Sequence, residues 1–176
     1  MKRRTYVGVV GMAALSGCSA LSGNNPTDDV GESYTTEEEL ELTVDQLETQ
    51  PGGSITLGNG SEINTASSAV TFVIPHLVAT NTTESTLSVP DVNSFDLQSG
   101  GQRQDPYRVD YREILDELQS SISEPVSGPL FPSTPEIGPE EEAEGWLVFT
   151  VPEAGETVSL ELRLNGDVQY NWSLLV

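Results

Sequence analysis

The alternation of apolar and polar positions carries most of the structural information in this chain. Leu40, Leu42 and Val44 alternate with Glu41 and Thr43, the period-two pattern of a half-buried strand. A turn at Gln50-Pro51-Gly52-Gly53 precedes a short apolar pair, Ile55 and Leu57, which stops at Gly58-Asn59-Gly60. Val70, Phe72 and Ile74 then share one face of a segment running to Thr80, with Leu77 and Val78 beyond Pro75. Proline fits a strand only at an edge or a bulge, so the pattern predicts a kink at Pro75. Shorter strands are predicted around Leu87 and Val89 and around Phe95 and Leu97, separated by turns at Asn81-Thr82-Thr83-Glu84, Pro90-Asp91 and Ser99-Gly100-Gly101-Gln102.

The last third is clearer still. Trp146 to Val151 reads as one strand ended by Pro152. Val158, Leu160, Leu162 and Leu164 alternate up to Asn165-Gly166, and Val168, Tyr170, Trp172 and Leu174 alternate after it, a strong hairpin signal. Phe72, Phe95 and Phe149 are the predicted aromatic core, with Trp146 on the opposite face from Phe149. One stretch departs from this pattern. Tyr111, Leu115, Leu118 and Ile122 recur at helical spacing behind an Asp110/Glu113 cap, which predicts a helix or helical turn over about 111 to 121. A proline-rich loop, Pro125 to Pro139, and an acidic run at Glu140, Glu141, Glu142 and Glu144 follow. Many short strands with one short helical insertion predict an all-β, antiparallel β-sandwich over residues 39–176.

The N-terminus has different chemistry. Lys2, Arg3 and Arg4 precede a ten-residue apolar core, Tyr6 to Leu15, and Leu15-Ser16-Gly17-Cys18 closes it. A membrane-spanning helix needs about 20 apolar residues, so this segment predicts export rather than a permanent span. The small-residue site ending in cysteine resembles the lipobox of exported lipoproteins, which implies a signal peptide over 1–17 and lipidation of Cys18. As the only cysteine, Cys18 has no internal disulfide partner, and acylation accounts for it. Arg3-Arg4-Thr5-Tyr6-Val7 resembles a twin-arginine signal, which implies export of the folded protein. Residues 18–38, rich in Ser, Gly, Asn, Asp, Thr and Glu, read as the lipidated cysteine and a flexible tether. The predicted location is the extracellular face of the cell membrane, with the membrane as a partner through the lipid anchor.

Charge narrows the picture. Loss of residues 1–17 removes three of seven basic residues and none of the 28 acidic ones, leaving four arginines and a net charge of −24. Such a surface repels nucleic acid and would repel itself in dilute buffer. Abundant carboxylates with no lysine after Lys2 resemble the proteins of haloarchaea; in molar salt the Debye length is about 3 Å and the repulsion is screened.

Further motifs resemble a known group. Thr80-Asn81-Thr82-Thr83, Val89, Phe95-Asp96-Leu97, Gly100-Gly101 and Gly145-Trp146-Leu147-Val148-Phe149-Thr150-Val151-Pro152 resemble a family of immunoglobulin-like domains found in secreted and lipid-anchored prokaryotic proteins. The family's Pro-Gly-Glu turn is replaced here by Gly138-Pro139-Glu140. The resemblance covers roughly residues 69 to 176 and implies an immunoglobulin-like sandwich with no common catalytic residue.

Candidate chemistry is sparse. His76 is the only histidine, and no HxH, HExxH or CxxC spacing exists, so a structural role is expected. Asp91, Asn93 and Asp96, or Glu140, Glu141, Glu142 and Glu144, bear side-chain oxygens that could ligate calcium, yet neither set has the full EF-hand pattern, and no metal or cofactor is expected. Tyr107, Arg108, Tyr111 and Arg112 form a candidate recognition patch. Asn59 and Asn81, in predicted turns, are the favoured glycosylation acceptors over Asn171. The expected function is non-catalytic contact with an envelope protein or an extracellular ligand. The alternatives are an exported hydrolase using carboxylates and an accessory solute-binding lipoprotein.

Replacing Cys18 with serine is expected to move the protein from the membrane fraction to the soluble fraction, read by fractionation and immunoblot at high salt. Retention in the membrane would remove the lipid anchor.

Overall fold

The computed structural model describes residues 29–58, 60, 62–64, 70–106, 121–152 and 157–176. Within them the chain forms fifteen strands and one short 3-10 turn, Val92–Ser94. The strands are β1 (Ser33–Thr35), β2 (Leu40–Pro51), β3 (Ser54–Leu57), β4 (Glu62–Asn64), β5 (Val70–Asn81), β6 (Leu87–Ser88), β7 (Phe95–Ser99) and β8 (Gln102–Gln104), then β9 (Ser121–Glu124), β10 (Gly128–Pro129), β11 (Glu136–Ile137), β12 (Glu142–Trp146), β13 (Phe149–Pro152), β14 (Thr157–Leu164) and β15 (Asp167–Leu175).

Two antiparallel sheets face each other. One runs β1-β2-β5-β12, with β13 also pairing β5; the other runs β15-β14-β7-β8. Leu40, Leu42, Val44, Val73, Leu77, Ala79, Phe149 and Val151 from the first sheet share one core with Phe95, Leu97, Leu160, Leu162, Trp172 and Leu174 from the second. These are the inward positions of the alternating runs, so the sandwich follows from the pleat. The opposite face of β5 is buried as well. Phe72 and Ile74 pack with Ile55, Leu57, Ile63, Ile122, Leu130, Trp146 and Val148, beneath a small sheet ordered β10-β9-β3-β4. The domain is therefore three-layered, and β5 is the wall between two cores.

Pro75 sits at the centre of the sheet, not at an edge, and two irregularities accommodate it. β2 carries a bulge between Val44 and Gln46, with Leu47 opposite Pro75. On the other flank β12 ends at Trp146, opposite His76, and β13 begins at Phe149, opposite Val73. Leu147 N–H donates to Pro75 C=O at 2.9 Å. The N and C=O of a strand residue point to the same side, so the missing proline N–H falls at this break and forfeits no ladder bond. The single strand expected over Trp146 to Val151 is consequently two.

Two further expectations change. Residues 29–38, expected as part of a flexible tether, belong to the fold: Asp29 N–H donates to Ser173 C=O at 2.8 Å and β1 pairs with β2. Ser121, the last residue of the expected helix, and Ile122, which shared its spacing, lie on β9, where Ile122 pairs with Leu57 and Gly128; the rest of the expected helix, residues 111–120, lies outside the described residues, as does Asp110. The Asn165-Gly166 hairpin forms, with φ of 56° and 89° at the two central positions.

Gly145 explains the start of the Gly-Trp-Leu-Val-Phe motif. A Cβ there would lie 2.6 Å from the Phe131 backbone nitrogen. Phe131 N–H donates to Trp146 C=O at 3.0 Å, and its buried ring meets Phe95 edge-on with centroids 5.6 Å apart. A bare backbone at 145 is what lets the proline-rich segment cross β12 and reach the core. Gly145→Ala is expected to cost about 3 kcal/mol, measured by denaturant unfolding in molar salt; a loss well under 1 kcal/mol would show that the crossing segment yields freely.

Candidate functional site

Asp96 organises one outer face of the sandwich. β7 turns Phe95 and Leu97 inward and Asp96 outward, yet the Asp96 side chain is 2% exposed. Arg103 covers it, with Nη2 at 2.8 Å from Oδ1, and Arg163 faces it, with Nε at 2.9 Å from Oδ2. The second contact is an ion pair without hydrogen-bond alignment. Arg163 Nη2 also donates to Glu161 Oε2 at 2.6 Å, and Glu161 lies opposite Asp96 on β14. One carboxylate thus engages two of the chain's six arginines, which makes this cluster structural. Asp96→Asn is expected to destabilise the fold by about 2 kcal/mol or more, since it leaves two guanidinium groups facing a neutral amide. Thermal unfolding in molar salt checks this; an unchanged midpoint would mean that water serves the arginines equally well.

His76 lies at the bulge that accommodates Pro75. The bulged residue, Asp45, places Oδ1 2.7 Å from His76 Nδ1, and the imidazole packs on the Trp146 ring with centroids 4.6 Å apart. Asp45 and Trp146 hold the ring at the margin of the second core, and no hydroxyl among the described residues is hydrogen-bonded to it. The histidine thus packs between Asp45 and Trp146 at that margin.

Asn81 corrects a site expectation. Its side chain is fully buried: Nδ2 reaches Ser85 C=O (2.7 Å), Ile137 C=O (3.1 Å) and Gly138 C=O (2.9 Å), while Oδ1 accepts from Thr83 N–H and Oγ1, both at 2.8 Å. This amide pins the end of β5 to two loops and has no room for a glycan. Asn171, ranked lower on turn position, is exposed on β15. Asp91 Oδ1 accepts from Asn93 N–H at 2.7 Å as the cap of the 3-10 turn, whereas Asp96 is engaged by Arg103 and Arg163. Arg3, Arg4, Cys18, Asn59, Tyr107, Arg108, Tyr111 and Arg112 lie outside the described residues.

The site that sequence reading missed is a cleft of about 470 Å³ at one end of the sandwich. Three stretches frame it: the β1–β2 turn (Tyr34, Thr36, Glu37, Glu38, Leu40), the segment from Ser88 to Ser94, and the β14–β15 hairpin (Arg163, Leu164, Asn165, Gln169). The framing follows from register, since Leu40 begins β2 and Arg163 and Leu164 end β14. Tyr34 is stacked on Tyr170 at 4.9 Å and 17°, and Tyr170 meets Trp172 edge-on at 4.8 Å. Trp172 is fully buried and its Nε1–H donates to Glu32 C=O at 3.0 Å, which fixes the ladder to the core. The only sequence signal of this cleft was the alternation that put Tyr170 and Trp172 on one strand.

Burial, followed by the nearby Glu32 and Asp29 carboxylates, raises the Tyr170 phenol above its ordinary 10.0. A raised folded-state value favours the neutral phenol, so its contribution is complete below the unfolded value and is lost as pH rises through the folded one. Stability is therefore expected to fall above about pH 10, and Tyr170→Phe to flatten that fall, read as unfolding midpoint against pH. Identical slopes in both proteins would count against the assignment.

These features define an all-β protein whose antiparallel sheets form a layered sandwich, with a polar cleft at one end. No protein-family model matches the chain, and no curated protein does. Among solved structures it is similar to a conserved hypothetical protein from Bacillus anthracis, with a TM-score of 0.52 and 15% identity over 84% of this chain and 94% of that one. The yjhA protein from Bacillus subtilis gives 0.51 and 14%, over 85% of this chain and 99% of that one. The ycdA protein from Bacillus subtilis gives 0.48 and 19% over 81% of this chain, which spans 38% of that longer protein. At these identities the likeness is one of fold.

Proposed function

We propose that this chain is a non-catalytic, lipid-anchored extracellular domain of a haloarchaeal type. Its immunoglobulin-like sandwich makes contact with an envelope protein or an extracellular ligand through the end cleft. The observation that carries this reading is the direction in which the chain joins the sandwich. Asp29 is hydrogen-bonded at Ser173, and β1 runs from there toward Thr36 and the cleft. Along β15, Ser173 is four residues beyond Gln169, about 14 Å at strand rise. A membrane anchor ahead of Asp29 would therefore hold the domain near one end and leave the cleft at the other, facing outward. Exposed carboxylates at Glu37, Glu38, Glu39, Glu84 and Asp91 border the cleft end, where they support hydration in high salt.

The test is cross-linking of intact cells in high salt, with purification and mass spectrometry, comparing wild type with Cys18→Ser and with the exposed cleft variant Gln169→Ala. One envelope protein captured repeatedly by wild type, and depleted about tenfold in both variants, is the expected result. Equal capture by Gln169→Ala would move the contact away from the cleft, and equal capture by Cys18→Ser would remove the anchor from the function.

A further inference from the structure

We infer that the end cleft binds a neutral saccharide, an inference that rests on the cleft being the binding surface proposed above. Its volume of about 470 Å³ lies within the ~300–1,000 Å³ of small-ligand sites. Three properties select the ligand class.

The first is a fixed aromatic wall. Tyr34 lines the cleft and is half-buried, and its ring is held by the stack on Tyr170 and, through that ring, by Trp172. An aromatic ring already immobilised by packing contributes contact without further ordering on binding, and aromatic surface complements the C–H face of a pyranose ring.

The second is mixed hydrogen-bonding capacity around that wall. Gln169 and Asn165 bring amides with both donors and acceptors, Ser88 brings a hydroxyl, and Glu37 and Glu38 bring acceptors only. All five are exposed, so none is committed to the core. A polyol, presenting O–H groups in several directions around an apolar ring face, uses both kinds.

The third is the state of the charges. Among the described residues Arg163 is the one basic side chain lining the cleft, and Asp96 and Glu161 already neutralise it. A phosphate or carboxylate ligand would meet that neutralised arginine together with Glu37 and Glu38, an arrangement that repels anions. A cationic ligand would depend on those two exposed glutamates, whose attraction is screened to about 3 Å in molar salt. Hydrogen bonds and ring contact survive such salt, so an uncharged polyhydroxyl ligand is the class this cleft can hold in the solvent its surface implies.

The experiment uses the full-length acylated protein in detergent micelles at high salt, titrated with maltose, cellobiose, lactose, mannobiose and chitobiose and followed by saturation-transfer NMR and tyrosine–tryptophan fluorescence. At least one disaccharide is expected to bind saturably. Tyr34→Ala and Gln169→Ala should each weaken it about tenfold, and Tyr34→Phe should stay within about threefold because the ring is kept. Gln169 is exposed on an edge strand, so its variant tests the inference even if Tyr34→Ala unfolds. No saturable binding up to about 10 mM, or binding unaltered in Gln169→Ala, overturns the saccharide assignment. If no disaccharide binds but Gln169→Ala still loses the cross-linked envelope protein, the saccharide assignment falls while the cleft remains the contact surface.

Discussion

β5 is buried on both faces, and the remaining architecture answers to that constraint. Val73, Leu77 and Ala79 face the main core, and Phe72 and Ile74 face the second. A strand in this position needs neighbours on both edges and a layer over each face. β2, β12 and β13 supply the edges, and the sheet ordered β15-β14-β7-β8 and the small sheet carrying β3 and β9 supply the layers. Pro75 in the middle of such a strand would be costly if its neighbours were regular. The bulge at Asp45 and the interruption between β12 and β13 absorb it, and the same bulge delivers the carboxylate that fixes His76.

The sequence motifs around Asn81, Asp96 and Gly145 act on this framework rather than on a ligand. Asn81 ties the end of β5 to the loops at Ser85 and Ile137–Gly138, Gly145 admits the Phe131 backbone, and Asp96 gathers Arg103 and Arg163. Each solves a problem of packing or polar satisfaction, which explains how a sequence can keep these residues without declaring a chemistry. The cleft is built instead from exposed residues, Glu37, Glu38 and Asn165 in turns and Gln169 on β15, which the sandwich does not need for its core.

Solvent and fold are connected through the same few arginines. With 28 acidic residues in the chain, surface carboxylates repel one another wherever salt is dilute. Screening relieves that repulsion but reaches a buried pair far less. The pair that Asp96 makes with Arg163, largely shielded from solvent, would therefore keep its attraction as salt rises, and the Asp96 cluster sits where β7, β8 and β14 pair.

Local periodicity alone determined that this is an all-β chain, where the long strands β2, β5, β14 and β15 run, that Phe72, Phe95 and Phe149 are core, and that Asn165-Gly166 turns a hairpin. Each is decided within a few residues, by which side chains share a face and which backbone angles a turn demands. Strands of two to four residues, such as β1, β4, β8, β10 and β11, are too short to show a period. Ile122 fitted a helical spacing until its pairing with Leu57 placed it in a sheet. Which sheet a strand joins, how Pro75 is tolerated, why Asn81 is buried and where Tyr34 meets Tyr170 depend on contacts between segments far apart in the chain. Only the tertiary structure decides these, because a pairing partner, unlike a face, is not written in a residue's neighbours.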